Sequence, residues 1–575
     1  MDDKVVIVIE SKNYEVSKAK LIEKSSYYKS MLNGDFLEKN KSTVNIKGVS
    51  VESWERILYY LENGKMKPEV YSEGLYKELL YLLEAAAMLQ FSEIQEYCTR
   101  KLYVTLEAKN ALDILEVASK LDLDVLIQKA RAIALWNSEV ITNSDAFFNL
   151  NADQVEGYLS DPALHSPTGE WGVWEAVNRW INSPPDFKVN RTEFLPQLIK
   201  CVSLERLSLS DIKTIALNDV VRSNPLVSAA LKIIVKELSP KETESCDTSE
   251  TEALTESSET DQTTVVEGVE DFIKSWREMP PRKLPLVPAV IAKVNKEPSL
   301  SSPYVVRFSE EEKKFIPEIR LDEVETNLGA LVGFKVIADG SKLYMLGGEI
   351  LTRQASWYYA VWQYDQIIGR WLFLANLRKE VRHCSACVVG DYLYVIGGFG
   401  RHRLIQDTVS KLSLTDRTWT VCSPLPRPMY SAPCCVFKDN IYVIQTQVYQ
   451  YSTERDMWTT LDISLPSRQV FSNVVVNDDY IFISGINRIV YKFDPSLPTV
   501  ELTKVGTFTY ECWQACLIDD HIYSLSQEEF DSEIYCEKMN VKTGENTVLF
   551  RGIAENEIAT LNPNHHHGCF PLLFY

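Results

Sequence analysis

The sequence predicts a multidomain protein: an α+β domain, an all-α domain, a linker and an all-β six-bladed propeller. Three observations lead to this fold class. The first half carries apolar residues at helical spacing, the middle holds an acidic stretch, and the second half repeats a short β pattern. A chain of 575 residues also exceeds one ordinary hydrophobic core, so several domains are expected.

Helical periodicity dominates the first half. The apolar residues between Val51 and Leu61 share one face of a predicted helix, and Gly64 suits its C-terminal end. Further helical patterns cover residues 72–90 and 110–136. We predict two strands ahead of these helices, at Lys4–Ile9 and Tyr14–Val16.

An acidic stretch separates the two halves. Residues 243–261 contain seven acidic residues and nine Ser or Thr, with no Lys or Arg. Such a segment cannot bury enough apolar surface to offset the entropy of ordering it. We therefore predict an acidic disordered linker over 239–280. Ser249 and Ser258 precede an acidic residue by three positions, which suits acidophilic kinases, although an unmodified tether is the simpler interpretation.

Two marks recur in the second half. Sequences similar to DYLYVIGGF begin at residues 341, 391, 439, 478 and 520. The second mark is an apolar residue followed seven positions later by Trp or another apolar residue. The pairs are Phe308/Phe315, Tyr364/Trp371, Leu412/Trp419, Tyr451/Trp458, Phe493/Val500 and Val541/Val548. Their second members lie 56, 48, 39, 42 and 48 residues apart, the period of a four-stranded propeller blade, so six blades are predicted.

The glycine doublets Gly347-Gly348 and Gly397-Gly398 end two of these repeats. A phosphate-binding loop would need a helix after the glycines, but the residues that follow Gly398 are typical of another strand. We therefore predict that the doublets permit positive φ and close backbone approach between crowded blades.

The two ends of the β-rich half complete each other. Residues 565–575 resemble the strand that opens a blade, and the strands missing from that blade are predicted at Pro285–Val294 and Tyr304–Phe315. Pairing the two ends closes the ring and removes the exposed edges of an open β array.

Composition restricts the class of partner. The formal net charge of −20 repels phosphate backbones, so we expect no nucleic-acid partner and no membrane partner. The N-terminal apolar run, Val5–Ile9, is too short for a signal peptide or a membrane span. Twelve cysteines without a dense framework indicate reduced thiols. We expect a cytoplasmic protein, with the nucleus as an alternative.

The order of several motifs resembles the BTB-BACK-Kelch family. The segments VVIVIESKNYEVSKAKL, SSYYKSML, GDFLEK and VESWERILYYLENGKM are similar to a BTB domain, and TGEWGVWEAVNRWI and FLPQLIKCVSLERL to a BACK domain. The repeats then resemble kelch repeats. The resemblance implies a BTB domain at 1–103, a BACK domain at 104–238, the linker at 239–280 and a six-bladed kelch propeller at 281–575, closed by the C-terminal strand.

The chain also departs from the family pattern. Ser17 stands where the family usually has His, and Ser203 and Glu205 stand where Arg and Pro are common. Met1 lies almost on the first strand, whereas many relatives have a helix and a strand ahead of it that are exchanged in the dimer. The resemblance implies a homodimer through the BTB domain, and this departure leaves it open.

The resemblance implies a non-catalytic substrate adaptor of a cullin-3 RING ubiquitin ligase. The BTB domain and the start of BACK would bind the cullin, and the propeller would bind the protein substrate. A hydrophobic-x-Glu motif often makes the cullin contact, and Phe36 with Glu38 matches it. The bland alternative is that Phe36 packs within its own domain and Glu38 is merely solvated.

Three arginines are candidate substrate contacts on the propeller rim: Arg382, Arg427 and Arg468. They lie in turns that lead into blade-opening strands, near positions where relatives contact peptides. Arginine there can bind carboxylates in fork geometry. The alternative for each is a solvated or internally paired side chain.

The sequence gives no grounds for a cofactor or a metal. Cys384 and Cys387 form a C-x-x-C pair without a second pair at ligand spacing, so we interpret them, with Cys434 and Cys435, as structural thiols. Consecutive histidines 565–567 point in different directions on a strand.

Two rival functions stay open at this point. Some relatives are cytoskeletal, actin-associated scaffolds without a ligase role. A catalytic propeller is formally possible, but no hydrolase, zinc-protease or phosphate-loop motif is present in the sequence.

Overall fold

A computed structural model describes residues 4–33, 43–67, 74–183, 190–239, 268–297, 300–323, 331–351, 356–467, 469–527, 533–552, 558–560 and 568–575. The chain divides into two compact units, Met1–Leu284 with Tyr575, and Pro285–Phe574. Each unit buries its own set of apolar side chains.

The first unit begins with a three-stranded sheet. Strand β1 (Lys4–Ile9) lies in the centre, antiparallel to β2 (Lys12–Ser17) and parallel to β3 (Thr43–Ile46). Alternate residues of β1 are fully buried, as the two-residue period of a strand with one core face requires. The predicted strand at Lys4–Ile9 is confirmed.

Helices make up most of the remainder of the described part of this unit. In chain order α1 to α8 are Lys18–Lys24, Ser26–Asn33, Val51–Asn63, Leu75–Met88, Ser92–Thr105, Ala111–Lys120, Asp124–Trp136 and Ser138–Ile141. Helices α9 to α16 are Asp145–Phe148, Ala152–Leu159, Glu170–Asn182, Leu195–Leu198, Leu209–Ala216, Asp219–Arg222, Pro225–Leu238 and Val269–Arg277.

Helix α3 shows how local sequence sets these bounds. The Ser50 side chain accepts a hydrogen bond from the Ser53 amide at the N-terminus. Trp54 and Ile57 on the predicted apolar face are fully buried. Gly64 ends the helix in the left-handed region (φ 68°), and its amide donates to the Tyr60 carbonyl, as predicted.

Helix α16 corrects the predicted extent of the linker. Val269, Phe272, Ile273 and Trp276 lie at helical spacing and are all buried in the first unit. The disordered-linker prediction is therefore wrong for this segment, because the composition argument for 243–261 was extended into an amphipathic sequence. The acidic stretch itself lies outside the described residues.

A buried ion pair follows helix α16. The Arg282 Nε donates to Glu170 Oε1 over 2.9 Å, and the two side chains are 10% and 2% exposed. The guanidinium also donates to the carbonyls of Asp161 and Cys201, while the Ser203 amide donates to the other Glu170 oxygen. Both charges thus have additional hydrogen-bond partners, which buried ion pairs need in order to offset desolvation.

The second unit contains the strands β4 to β31. Strands β4 to β13 are Leu286–Glu297, Leu300–Ser309, Lys314–Arg320, Leu331–Val332, Lys335–Asp339, Lys342–Leu346, Glu349–Ile350, Ser356–Trp357, Ala360–Asp365 and Arg370–Asn376. Strands β14 to β22 are Ser385–Val389, Tyr392–Ile396, Val409–Ser413, Trp419–Cys422, Cys434–Phe437, Asn440–Ile444, Val448–Ser452, Met457–Thr460 and Phe471–Val476. Strands β23 to β31 are Ile481–Gly485, Ile489–Phe493, Thr503–Thr507, Gln514–Ile518, His521–Gln527, Ile534–Asn540, Asn546–Gly552, Ile558–Thr560 and Cys569–Leu573.

These strands form six antiparallel blades. Five blades are the four-stranded sheets β8-β9-β12-β13, β14 to β17, β18 to β21, β22 to β25 and β26 to β29. In the sixth, β31 pairs with β4, which continues to β5 and β6, and the short β30 also pairs with β4. Strands β7, β10 and β11 form a small separate sheet. The predicted propeller fold class is confirmed.

The innermost strands follow one another in a ring. Strands β8, β14, β18, β22 and β26 each pack against the next, and β31 packs against both β26 and β8. Strand β31 pairs with β4 in an antiparallel register that sets Phe570 opposite Ala289. The sixth blade is thus built from both ends of the unit, with β31 from the C-terminal end and β4 to β6 from the N-terminal end.

The glycine doublets have the positive φ angles that the sequence predicts. Gly397 and Gly398 have φ of 60° and 101°. A Cβ on Gly397 would lie 2.4 Å from the Met429 carbonyl oxygen, and one on Gly398 would lie 2.8 Å from that of Arg382. Both the positive φ and the close approach of neighbouring backbone require glycine here.

The seven-residue spacing marks a cross-strand pair in four of the six blades. Tyr364 lies opposite Trp371 and Tyr451 opposite Trp458, with ring centroids 5.0 and 4.9 Å apart. Leu412/Trp419 and Phe308/Phe315 pair likewise. Phe493/Val500 and Val541/Val548 do not, because Val500 lies outside a strand and Val548 faces Glu537 beside a bulge.

Candidate functional site

Of the five predicted site residues, two arginines lie in the described part of the chain, one paired and one exposed. Phe36, Glu38 and Arg468 lie outside the described residues. Arg382 is 14% exposed and donates from Nη1 to Glu349 Oε2 over 2.7 Å, which is the internally paired alternative that the sequence left open. Arg427 is exposed on the turn between β17 and β18.

Arg427 lies beside a loop that the sequence analysis did not single out. The rim loop, residues 399–406, connects β15 to β16. Its backbone is fixed at both ends, because the Phe399 amide donates to Arg382 and the Gln406 amide to Gly398. His402 and Arg403 have φ of 56° and 58°, so the loop turns tightly and presents consecutive side chains to solvent.

Hydrogen bonds and ring packing hold the Arg427 turn against the rim loop. The Met429 amide donates to the Gln406 carbonyl over 3.1 Å, and the Gly398 amide donates to the Met429 carbonyl over 2.7 Å. The rings of Phe399 and Tyr430 also pack together, tilted by 38° with their centroids 4.2 Å apart. The two segments therefore form one surface.

Exposed apolar and cationic side chains meet on this surface. Leu404 is 66% exposed, Tyr430 44% and Ile405 43%, which is unusual for large apolar residues that lie side by side. Arg403 and Arg427 are exposed beside them, and no hydrogen bond or ion pair engages either guanidinium within the described part of the chain. We name these five residues the rim patch.

The third arginine of this surface, Arg401 of the rim loop, is paired with a carboxylate. Arg401 pairs with Glu380, which also accepts a hydrogen bond from the Tyr359 hydroxyl. A backbone hydrogen bond and the Tyr359 hydroxyl lower the pKa of the Glu380 carboxyl, so it stays ionised opposite Arg401. The uncompensated positive charge of the surface therefore comes from Arg403 and Arg427.

The rim patch is chemically suited to binding a peptide. Aromatic and arginine side chains dominate binding hot spots, and arginine forks match carboxylates. Sequence reasoning found Arg427 but missed Leu404, Ile405 and Tyr430. The basic-apolar run GRHRLI after the second glycine doublet was the available signal.

Other classes of site receive no support from the described residues. Within them, no group of three or more His, Cys, Asp and Glu side chains is arranged to hold a metal ion. Histidines 565–567 lie outside them. None of the described helices combines the length and the apolar character that crossing a membrane requires.

Comparison with known families agrees with the two units. The BTB/POZ domain model matches residues 3–106, the model described as BTB And C-terminal Kelch matches 111–216, and the Kelch motif model matches 381–426. The chain belongs to the BTB-BACK-Kelch family. The matched kelch motif contains the rim loop, the second glycine doublet and strands β14 to β17.

Similar proteins share this family at low identity. Kelch-like protein 24 of Rattus norvegicus is 25% identical over 410 residues, 70% of this chain and 59% of that protein. Kelch-like protein 6 of Homo sapiens is 24% identical over 76% of this chain and 64% of its own length. Kelch-like protein 38 of Homo sapiens is 21% identical over 83% of this chain. The match thus spans about six tenths of the first relative.

Proposed function

We propose that this protein is a non-catalytic substrate-recognition adaptor of a cullin-3 RING ubiquitin ligase. The BTB domain and the start of BACK would bind the cullin, with Phe36 and Glu38 in the contact. The propeller would bind the substrate through the rim patch. The observation that carries the proposal is a solvent-facing apolar and cationic surface on a kelch propeller that follows BTB and BACK domains.

Charge complementarity supports a specific class of substrate. The chain as a whole is strongly acidic, with a formal net charge of −20, yet the rim patch contributes two uncompensated guanidinium groups. An acidic peptide is repelled by most of the surface and attracted here. Leu404, Ile405 and Tyr430 add an apolar contact, so we expect a segment with carboxylates beside a large apolar side chain.

The adaptor would contribute proximity to the ubiquitination reaction. Binding substrate and cullin in one chain raises the effective concentration of substrate lysines near the charged ubiquitin-conjugating enzyme. No acid, base or metal of the adaptor takes part in that step.

Reciprocal variants of the full chain test the proposal. Phe36→Ala with Glu38→Ala should reduce cullin-3 recovery in affinity purification at least about tenfold, the effect of losing roughly 1.4 kcal/mol, while propeller clients stay bound. Arg403→Ala, Leu404→Ala and Arg427→Ala together should reduce the recovery of propeller clients, while cullin-3 stays bound. Each variant is thus the folding control of the other.

A matched control tests the location of the substrate site. Arg455 and Leu497 are also exposed on propeller turns, so Arg455→Ala with Leu497→Ala removes comparable chemistry elsewhere. Clients should remain bound to this variant. Cullin-3 absent from the wild-type purification would contradict the adaptor proposal and favour an actin-associated scaffold.

A further inference from the structure

The central channel of the propeller is lined by cysteines. A cavity of about 380 Å³ lies between the innermost strands, and Cys387 of β14, Cys434 of β18 and Lys335 of β8 are among its lining residues. A space of this size admits small molecules as well as water. The second cysteine of the C-x-x-C pair, Cys387, thus lies in the lining of this cavity.

Cys387 and Cys434 meet across the boundary between two blades. Strands β14 and β18 open neighbouring blades and pack against each other. The Cys434 thiol donates to the carbonyl of Ala386, the residue before Cys387, over 3.3 Å. Cys387 belongs to an apolar cluster against which Cys434 packs, and both cysteines line the same cavity. Cys384, which directly precedes β14, and Cys435 of β18 belong to two other clusters.

The environment of Cys434 favours the reactive thiolate. The neighbouring Cys387 thiol and the nearby Lys335 lower the pKa of Cys434, although burial opposes this shift and also lowers the pKa of Lys335 itself. Burial instead raises the pKa of Cys384 to about 12 and that of Cys435 well above its ordinary value. Because the thiolate is the nucleophile, Cys434 is the favoured first site of oxidation among these thiols.

We propose that Cys434 and Cys387 are a redox modification site that forms a reversible disulfide between two blades when a hydroperoxide enters the channel. The Cys434 thiolate attacks one peroxide oxygen, the O–O bond breaks, and the released oxide takes a proton to leave as water or alcohol. Cys434 is then a sulfenic acid. The Cys387 sulfur attacks this sulfur, the S–O bond breaks, and hydroxide takes the Cys387 proton to leave as water.

The result is a covalent link between adjacent blades. Two thiols lose two electrons, which the peroxide accepts, and a thiol reductant reverses the change. Cys434 already contacts the carbonyl of the residue before Cys387, and the two sulfurs must approach to about 2.05 Å for the bond to form. A disulfide within the described core would limit the separation of these blades in the unfolded chain, so the oxidised propeller should melt at a higher temperature.

Peptide mapping of the full-length protein tests the proposal. Trypsin releases residues 383–401, which contain Cys387, and residues 418–438, which contain Cys434. After treatment with hydrogen peroxide and blocking of free thiols, the two peptides should be recovered as one disulfide-linked species. Dithiothreitol should separate them. Fragmentation of the wild-type species should assign the bond to Cys387 and Cys434 without any variant.

Serine variants at the neighbouring cysteines supply matched controls. Cys387→Ser and Cys434→Ser should abolish the linked species, whereas Cys384→Ser and Cys435→Ser should retain it. Cys516 and Cys569 form an internal comparison in the same channel, because burial and the neighbouring Cys516 thiol raise the pKa of Cys569. Their peptides should become linked more slowly.

Three results would overturn the proposal. These are a linked species that survives Cys434→Ser, a fragmentation pattern that assigns the bond to Cys384 or Cys435, and oxidation of Cys434 only to sulfinic or sulfonic acid. The outcome is independent of cullin binding, since the test uses the purified chain alone.

Discussion

The helical unit and the propeller are each completed by a segment distant in sequence, but they use different interactions. In the helical unit α16 and Arg282 return after the linker and dock through side chains, with the Trp276 indole donating to the Val202 carbonyl and Arg282 paired with Glu170. In the propeller β31 joins β4 through a backbone ladder.

This difference predicts different sensitivity to mutation. Replacing one member of a buried ion pair strongly destabilises the fold, because the charge of the other member stays buried without an opposite charge beside it. A strand ladder uses atoms that every residue except proline supplies, and its apolar side chains tolerate replacement at similar volume. The helical unit should therefore depend on the identity of its closing residues, and the propeller on the presence of its closing strand.

Removal of the closing strand should have the largest effect. A chain ending at residue 567 loses the buried Phe570 and Leu572 as well as the β31 ladder. The two side chains alone are worth at least about 5 kcal/mol. We expect loss of the cooperative β unfolding transition in circular dichroism, while a chain ending at Phe574 keeps it. An unchanged transition in the shorter chain would refute closure by β31.

Glu170→Gln should come next. The substitution keeps the shape but leaves the Arg282 charge uncompensated in a site where Glu170 is 2% exposed. We expect the free energy of unfolding of the helical unit to fall by about 3–5 kcal/mol, measured by urea titration of the helical signal. Hydrogen exchange should accelerate in α11 and α16 and stay unchanged in the propeller.

Conservative replacements compare the two closures directly. Arg282→Lys removes the planar fork that bonds Glu170, Asp161 and Cys201, and should cost about 2 kcal/mol. Leu572→Met in β31 should cost less than about 1.5 kcal/mol. If Leu572→Met proves the more damaging in chemical denaturation, the propeller closure depends on side-chain shape and the contrast fails.

An exposed ion pair sets the lower end of the scale. Lys120 and Glu116 pair on the surface of α6 over 2.8 Å, and both side chains are 57% exposed. Glu116→Gln should change the free energy of unfolding by only about 0.3–0.5 kcal/mol. High salt should remove even this difference, whereas the effect of Glu170→Gln should persist, since buried pairs are screened much less than exposed ones.

The two arginine-bearing turns of the propeller could not be told apart from the sequence. The turns that carry Arg382 and Arg427 read alike in the sequence, yet Arg382 pairs with Glu349 and Arg427 is exposed. Glu349 lies in β10 of the small separate sheet, 33 residues away, and no local pattern connects the two. The exposure of Leu404 and Ile405 was equally hidden, because an apolar pair after a glycine doublet also suits a buried strand.

Local and periodic features were determined by the sequence itself. Gly64 ends α3 because glycine adopts a positive φ without strain. Gly397 is required by the close approach of neighbouring backbone, and repeats at blade spacing predict the propeller. Such features depend on residues close in the chain or on regular repetition.

Long-range partnership was decided only by the tertiary structure. Packing brought α16 back to the helical unit, paired Arg282 with Glu170, and placed Cys434 against the apolar cluster of Cys387 rather than that of Cys384. The reason is that these contacts join side chains from separate elements, and their energies depend on distance and burial, which composition and spacing do not encode.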